Sequence, residues 1–410
     1  MNNPIKKIKQ CSSTIKRDID LNGKNLIIVG NNGAGKTKFL NALNEYLSKV
    51  FNQEYMVTLK QLREYKKRQE DQLQYYKGDD ANYHAINENI SYYETLIKDR
   101  LNFDIIFGKP DVFYNQVKKN KVITRFFPAY RRYVSNNHNL LTSVDALFDE
   151  FKLASPHSLV TCDYFERYLV SMSNYALIEK GADSIDEYNR VIDVISKIEN
   201  DLKILFEDDT LSLYYNRKKL RMEIIQKGKE PSGFDNLPSG FASVLAIYAE
   251  LIMLAELSEG GKNDIKGIVL VDEIDAHLHV TVQKKVFNFF SESFPNVQFI
   301  ISTHSPFVVQ SVSDAIIFNL STGEQMENLS VYSYSSIIKG LLGESVNSSE
   351  LEEILSEIDE MSKSGIFNQR FIELSTLLEQ HFDVLNARAK AIFMGAKARM
   401  IDWEEMQGNV

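Results

Sequence analysis

The stretch GNNGAGKT, Gly30–Thr37, constrains the fold more than any other part of the 410-residue chain. It follows the apolar run KNLIIV and leads into TKFLNALNEYLSKVF, where Phe39, Leu40, Leu43, Leu47 and Val50 fall largely on one helical face. The order is strand, glycine-rich turn, helix. Glycines at these places let successive backbone N–H groups turn inward around phosphate oxygens, and the helix N-terminus adds the positive end of its dipole. In a G-x-x-x-x-G-K-T loop, Gly30, Asn31, Asn32, Gly33, Ala34 and Gly35 cradle a triphosphate such as that of ATP. Lys36 reaches its β- and γ-phosphates, and the Thr37 hydroxyl ligates Mg2+. The unit predicts an α/β fold.

Two further stretches fit the same chemistry. IVLVDEIDAHLH, Ile268–His279, reads as a buried strand that delivers adjacent acids at its C-terminal end, where open α/β sheets bind ligands. Neighbouring residues on a strand point in opposite directions, so the two acids can take different tasks. Asp272 suits a Mg2+ shell and Glu273 suits polarising an attacking water. FIISTHSP, Phe299–Pro306, places His304 just past another apolar strand, at the same expected sheet edge, in reach of a γ-phosphate. His277 and His279 form an H-x-H pair without a third ligand at metal-site spacing; a place near the nucleotide or a subunit interface suits them better.

Composition narrows the class. Hydrophobic residues make up 44% and charged residues 25%, as in an ordinary globular protein. No apolar run reaches the ~18 residues of a membrane span, and MNNPIKKIKQ lacks the apolar core of a secretory signal. Cys11 and Cys162 are the only cysteines, so neither a disulfide framework nor a Cys-rich metal site is available. A cytoplasmic protein with no membrane partner is expected. The net charge of −9 argues against bulk attraction to nucleic acid. Two basic segments, Lys109–Arg132 and Arg217–Lys229, leave open a local DNA or RNA contact, an acidic partner, or simply solvated faces.

Along the chain, Gln53–Leu101 is charged and tyrosine-rich. Leu59, Leu62, Lys66, Gln69, Leu73 and Tyr76, then Ile86, Ile90, Tyr93 and Ile97, recur in steps of three and four, on either side of Gly78–Asp80. That spacing predicts an antiparallel helical hairpin, or two surface helices packed on the body, with arms of roughly 30–40 Å at ~1.5 Å per residue. VITRFFPAYRR reads as a strand returning to the core. Leu140–Phe206 is mainly helical, and LSLYYNRKKLRMEII reads as two antiparallel strands around a turn. NLPSGFASVLAIYAEL, Asn236–Leu251, opens an amphipathic helix on a Ser-Gly pair. A helix is expected near Gln283–Phe290, and the last stretch, with the only tryptophan, Trp403, is mostly helical.

GNNGAGKT, LPSGF, VLVDEID with HLH, and STHSP, in that order, resemble the motif set of the ABC-type ATPases of the SMC, RecF and OLD group. Within it the compact layout is similar to ATPase subunits of bacterial anti-phage systems such as Septu and PARIS. The resemblance spans residues 1–50 and 120–340. It implies an ATPase head with a mainly parallel sheet, an antiparallel β subdomain, a hairpin insertion and a helical C-terminal region. The implied divisions are 1–52, 53–101, 102–210, 211–340 and 341–410.

The resemblance further implies that Gly30–Thr37 bind ATP and Mg2+, Asp272 completes the metal shell, Glu273 is the catalytic carboxylate and His304 the switch histidine. ATP would be sandwiched between two heads of a homodimer or higher homo-oligomer, with Leu237–Phe241 as the signature loop acting in trans through Ser239 and Gly240. Here Pro238 stands where the family carries serine, and Ser239 where it carries the first glycine. Pro is compatible with the first turn of a helix, because it removes an N–H that is unpaired there anyway. A glutamine loop is not evident; FFPAYRR occupies its region, and Arg131 or Arg132 could contact nucleotide or partner. Beyond Pro306 no apolar strand delivers the acids of a Toprim nuclease, which points to a separate effector, a nuclease, controlled by an ATP switch. The alternative is a DNA-repair or DNA-end-binding ATPase. A transporter subunit is disfavoured by the large helical insertion.

Overall fold

The computed structural model describes residues 3–11, 16–76, 78, 81–131, 133, 142–153, 164–257, 261–312, 314–327, 337 and 349–408. Arg132, Cys162 and part of the expected helical stretch after Leu140 lie outside them. The chain forms two compact units, Met1–Ile337 and Ile338–Val410.

The first unit opens with β1 (Ile5–Cys11), β2 (Lys16–Asp20) and β3 (Asn25–Val29), followed by α1 (Lys36–Phe51). Next come α2 (Leu59–Leu73), α3 (Ala81–Asn102), β4 (Phe103–Phe107), α4 (Pro110–Lys118), β5 (Ile123–Phe127), α5 (Val144–Leu153), α6 (Phe165–Gly181) and α7 (Ile185–Phe206). Then follow β6 (Ser212–Asn216), β7 (Arg221–Ile225), β8 (Ser232–Gly233), α8 (Ser239–Leu257), β9 (Gly267–Val271), α9 (Val280–Gln283) and α10 (Val286–Ser293). The unit closes with β10 (Val297–Ser302), α11 (Pro306–Ser311), β11 (Ala315–Asn319) and β12 (Gln325–Glu327).

A six-stranded sheet of order β12-β11-β3-β10-β9-β5 organises the unit, parallel throughout except for β12. Strands β9, β10 and β11 are buried at every residue, as expected where helices cover both faces and the sequence shows unbroken apolar runs. On one face Leu26, Ile28, Ile268, Leu270, Ile300 and Ile316 share a core with Phe39, Leu40, Leu43 and Leu47 of α1. On the other, Phe299 of β10 meets Phe290 of α10, ring centroids 6.2 Å apart, and Phe289 meets Tyr248 of α8 at 6.0 Å. Among the described residues one helical stretch, Ser239–Glu256, is long and apolar enough to cross a membrane; it is 83% buried and forms part of this core.

Two antiparallel sheets flank the main one, β2-β1-β4 and β6-β7-β8. The strand read in VITRFFP is β5, at the sheet edge, which is why most of it is only half-buried. The helix expected near Gln283–Phe290 is divided into α9 and α10. Past Pro306 the chain supplies an apolar strand, β11, which lies against β3 and ends in Asn319 rather than an acid.

The hairpin pairs α2 with α3. Thr58 and Gln61 form a capping box at the start of α2, Lys66 bridges to Glu94 at 2.9 Å, and Tyr65 faces Tyr93. At ~1.5 Å per residue, α2 is only ~22 Å long and α3 ~33 Å, so the first arm falls short of the expected length.

The second unit has α12 (Ser349–Lys363), α13 (Gln369–Gln380) and α14 (Ala387–Gly408) around its own core of Leu355, Ile358, Phe371, Leu374, Leu378, Phe393 and Ala396. Trp403 packs within it against Phe367, ring centroids 5.3 Å apart.

Candidate functional site

Strand β3 stops at Gly30 because the backbone there turns to φ +144°, which a side chain resists. Gly33 and Gly35 have φ of +81° and +89°, and a β-carbon built at either meets nothing within 4 Å. Two left-handed glycines two positions apart turn the loop sharply, with open space where each side chain would be. Asn31 donates its N–H to Ser321 Oγ at 3.0 Å, so the turn after β11 braces the loop. α1 then begins at Lys36, with its first-turn N–H groups at the loop's end.

Lys36 is 6% exposed and donates to the carbonyls of Gly30 at 2.7 Å and Asn31 at 3.3 Å. Its Nζ lies 3.5 Å from His304 Nδ1. Burial pushes the ammonium's pKa below its ordinary value, while Glu273, Asp272 and Asp275 pull it back up.

Asp272 sits at the end of β9 and is almost fully buried. Its N–H donates to Phe127 O of β5 at 2.8 Å, and its Oδ1 accepts from Ser302 Oγ at 2.5 Å. The same Ser302 oxygen accepts the Glu273 N–H at 2.8 Å. Glu273 is half-buried and adopts φ +46°, a left-handed conformation uncommon outside glycine. Thr303 Oγ1 donates to Asp275 Oδ1 at 2.5 Å, and Ser305 caps α11 while donating to Gln283 at 2.6 Å. The hydroxyls of Ser302 and Thr303 thus tie the end of β10 to the acidic turn, and that of Ser305 ties it to α9. The structure brings Lys36, Asp272, Glu273 and His304 together at the C-terminal ends of β3, β9 and β10.

Thr37 is exposed at the first turn of α1, and neither its hydroxyl nor the Oδ2 of Asp272 carries a hydrogen bond among the described residues. Asn32 is exposed and Ala34 half-buried, its N–H donating to Asn31 O at 3.1 Å.

Ser239 and Gly240 stand apart from this group. Pro238 precedes α8 and its carbonyl accepts the Ala242 N–H at 2.9 Å, so the ring's missing N–H costs the helix nothing. Ser239 is exposed. Gly240 is pressed against the chain: an added β-carbon would lie 2.4 Å from His277 O. His277 itself takes φ +63°, and the His279 ring is 2.9 Å from Thr281 Oγ1. No bond among the described residues joins Ser239 or Gly240 to Gly30–Thr37.

Arg131 is the residue that sequence reasoning left undecided. It reaches the main chain of the acidic turn, with Nη1 donating to Asp272 O at 2.7 Å and Nη2 to Glu273 O at 3.1 Å. Ser302 opens the STHSP stretch but had no role of its own there, and Ser321 carried no recognisable signal; the task of each depends on a partner far away in the chain.

The family described as "AAA domain, putative AbiEii toxin, Type IV TA system" matches residues 52–310, so it covers the acidic strand and His304 but starts after the phosphate-type loop. The "Retron Vc95 probable ATPase" of Vibrio cholerae is 30% identical over 183 residues, 42% of this chain and 35% of that protein. "Septu protein PtuA" of Bacillus thuringiensis is 31% identical over 158 residues, 37% and 38% of the two chains. The "Retron Ec83 probable ATPase" of Escherichia coli is 34% identical over 107 residues, 25% and 20%. The chain matches between a fifth and two-fifths of the length of these relatives. A solved Smc head bound to the C-winged helix domain of ScpA covers 77% of this chain and 93% of its own, at 14% identity and a TM-score of 0.34. With more than half its length matched, the chain belongs to the AAA-domain family.

Proposed function

We propose that the chain is an ATP-hydrolysing switch. Gly30–Thr37 hold the triphosphate, Lys36 contacts its β- and γ-phosphates, and His304 lies beside the γ-phosphate. Glu273 orients and deprotonates the attacking water. The observation that carries this reading is the convergence of Lys36, His304 and the Asp272–Glu273 pair, with Lys36 Nζ 3.5 Å from His304 Nδ1.

The residues suit Mg2+. The Thr37 hydroxyl and the Asp272 Oδ2, neither bonded among the described residues, are hard oxygen donors. Mg2+ held by Thr37 and Asp272 would supply charge neutralisation on the phosphate oxygens.

In this reading, ATP is shared between two copies of the chain. The exposed Ser239, with Gly240, presents donors to nucleotide held by the other copy. The pair then licenses a separate effector, a nuclease, in anti-phage defence. Similarity to the retron and Septu proteins supports the defence role. The basic segments are neutralised only in part: Arg125 pairs with Glu250, Lys219 with Glu223, and Arg221 with Glu166 and Asp235, while Lys118, Lys119 and Lys121 are exposed and keep DNA binding as the second reading. Charges already neutralised within the chain contribute little to phosphate binding.

The test is Glu273→Gln. ATP affinity should persist and phosphate release should stop; a variant that still turns over ATP at the parent rate would remove Glu273 from the mechanism.

A further inference from the structure

We infer that Arg131 is a positioning residue for Glu273, fastening the main-chain turn on which that carboxylate is mounted; the inference rests on the reading of Glu273 as the catalytic carboxylate. After β5 the chain runs through Pro128 into Arg131. Nη1 donates to Pro128 O at 3.0 Å as well as to Asp272 O at 2.7 Å. Nη2 donates to Glu273 O at 3.1 Å and Ile274 O at 3.4 Å. One guanidinium therefore gathers three consecutive carbonyls, at the point where the chain leaves β9.

The N–H groups of the same turn are held from other directions. Asp272 N–H donates to Phe127 O at 2.8 Å, Glu273 N–H to Ser302 Oγ at 2.8 Å, and Ile274 N–H to Ser302 O at 3.1 Å. The N–H and C=O groups of Asp272, Glu273 and Ile274 are all held, and Glu273 is kept at φ +46°, a left-handed conformation uncommon for a non-glycine residue. Arginine suits the task because its planar fork offers several donors in fixed directions, whereas an ammonium is a single point.

Its position excludes the two roles that FFPAYRR left open. The Nη donors are occupied by main-chain oxygens of this chain, and Nε is buried with no partner among the described residues. The guanidinium is therefore not presented to a nucleotide or a partner. Burial pushes its pKa down to about 10, with Asp275, Asp272 and Glu273 opposing the shift, so the cation persists at neutral pH. The same segment also reaches the start of α8, where Tyr133 N–H donates to Ala242 O at 3.3 Å. The clamp thus ties the catalytic turn to the helix that carries Ser239 and Gly240.

The experiment uses the full chain with Mg2+ and ATP, and compares Arg131→Gln, Arg131→Lys and Glu273→Gln with the parent. Phosphate release gives kcat, a fluorescent ATP analogue gives nucleotide affinity, and amide hydrogen exchange reads the turn. Arg131→Gln should lower kcat by about 10²-fold, the scale of a misplaced catalytic group, with affinity held within about threefold. The amides of Glu273–Ala276 should exchange faster, and those of Ile268–Val271 and Lys36–Leu40 should not. Arg131→Lys should fall between parent and Gln, and it carries the test if the Gln variant does not fold. A parent-like kcat in both arginine variants beside an inactive Glu273→Gln overturns the positioning role. A parallel loss of ATP affinity also overturns it, because the arginine would then touch nucleotide. An active Glu273→Gln removes instead the reading on which the inference stands.

Discussion

The two glycine-bearing loops of this protein look alike in sequence and differ in what the glycine does. In Gly30–Thr37, Gly33 and Gly35 have positive φ and face nothing within 4 Å, so the missing side chain sets the direction of the backbone and leaves space. In Leu237–Phe241, Gly240 lies in an ordinary helical turn, and its missing side chain lets His277 O approach to where a β-carbon would be, 2.4 Å away. The first loop has no neighbours at its two left-handed glycines. The second is shaped by the chain itself. Packing alone therefore accounts for Gly240, and the case for a trans contact rests on the exposed Ser239.

Breaking the first loop should have the largest effect. Lys36→Ala removes a buried ammonium that already gathers the carbonyls of Gly30 and Asn31, and should weaken ATP binding by at least about 10²-fold, ~2.7 kcal/mol, in equilibrium titration. Undiminished affinity would overturn the phosphate-loop assignment. Glu273→Gln should come next, with kcat reduced by about 10²- to 10³-fold, as for loss of a general base. Binding should be unimpaired, and mass photometry with saturating ATP should find dimers. Monomers alone would count against the sandwich.

Two glycine substitutions then separate the loops. Gly240→Ala should lower the melting temperature by the equivalent of about 1–3 kcal/mol, because helix and His277 main chain must move apart. Gly33→Ala should cost stability only about 1–2 kcal/mol of left-handed strain, yet weaken ATP binding by roughly tenfold as the methyl enters the open space there. If the two variants behaved alike in melting and in binding, the contrast would be wrong. The smallest effect is expected for Ser239→Ala. Its melting temperature should match the parent and kcat should fall a few-fold, only at protein concentrations where dimers form. A fall that is independent of concentration would place Ser239 in its own chain's site.

The parts of the site that were readable in sequence depend on short-range pattern. Lys36 and Thr37 are legible because the turn, the strand before it and the amphipathic face after it lie within one continuous stretch. Asp272 and Glu273 are legible because an apolar run ends on them. Arg131 could be flagged but not distinguished from its neighbour, since its function lies in carbonyl oxygens 141 to 143 positions away. Ser321 is further still, 290 positions from the Asn31 it braces. β11, AIIFN, is five residues long, too short for its pattern to separate a buried strand from a helical turn, although it is buried throughout. The hairpin shows the opposite error: steps of three and four continued past the point where α2 ends, because polar residues fit that spacing as easily as apolar ones.

The place of β3 between β10 and β11 has a consequence for how the protein is made. Both strands that pair with residues 25–29, Val297–Ser302 and Ala315–Asn319, are synthesised about 270 and 290 residues after them. Until then the strand that carries the phosphate-type loop has no neighbours in its sheet, and Asn31 lacks the serine that braces it. The nucleotide site would thus be completed late in synthesis, by contacts whose loop-closure cost makes them slow to form. A nascent chain cut short within that interval would carry the loop sequence without the sheet that shapes it.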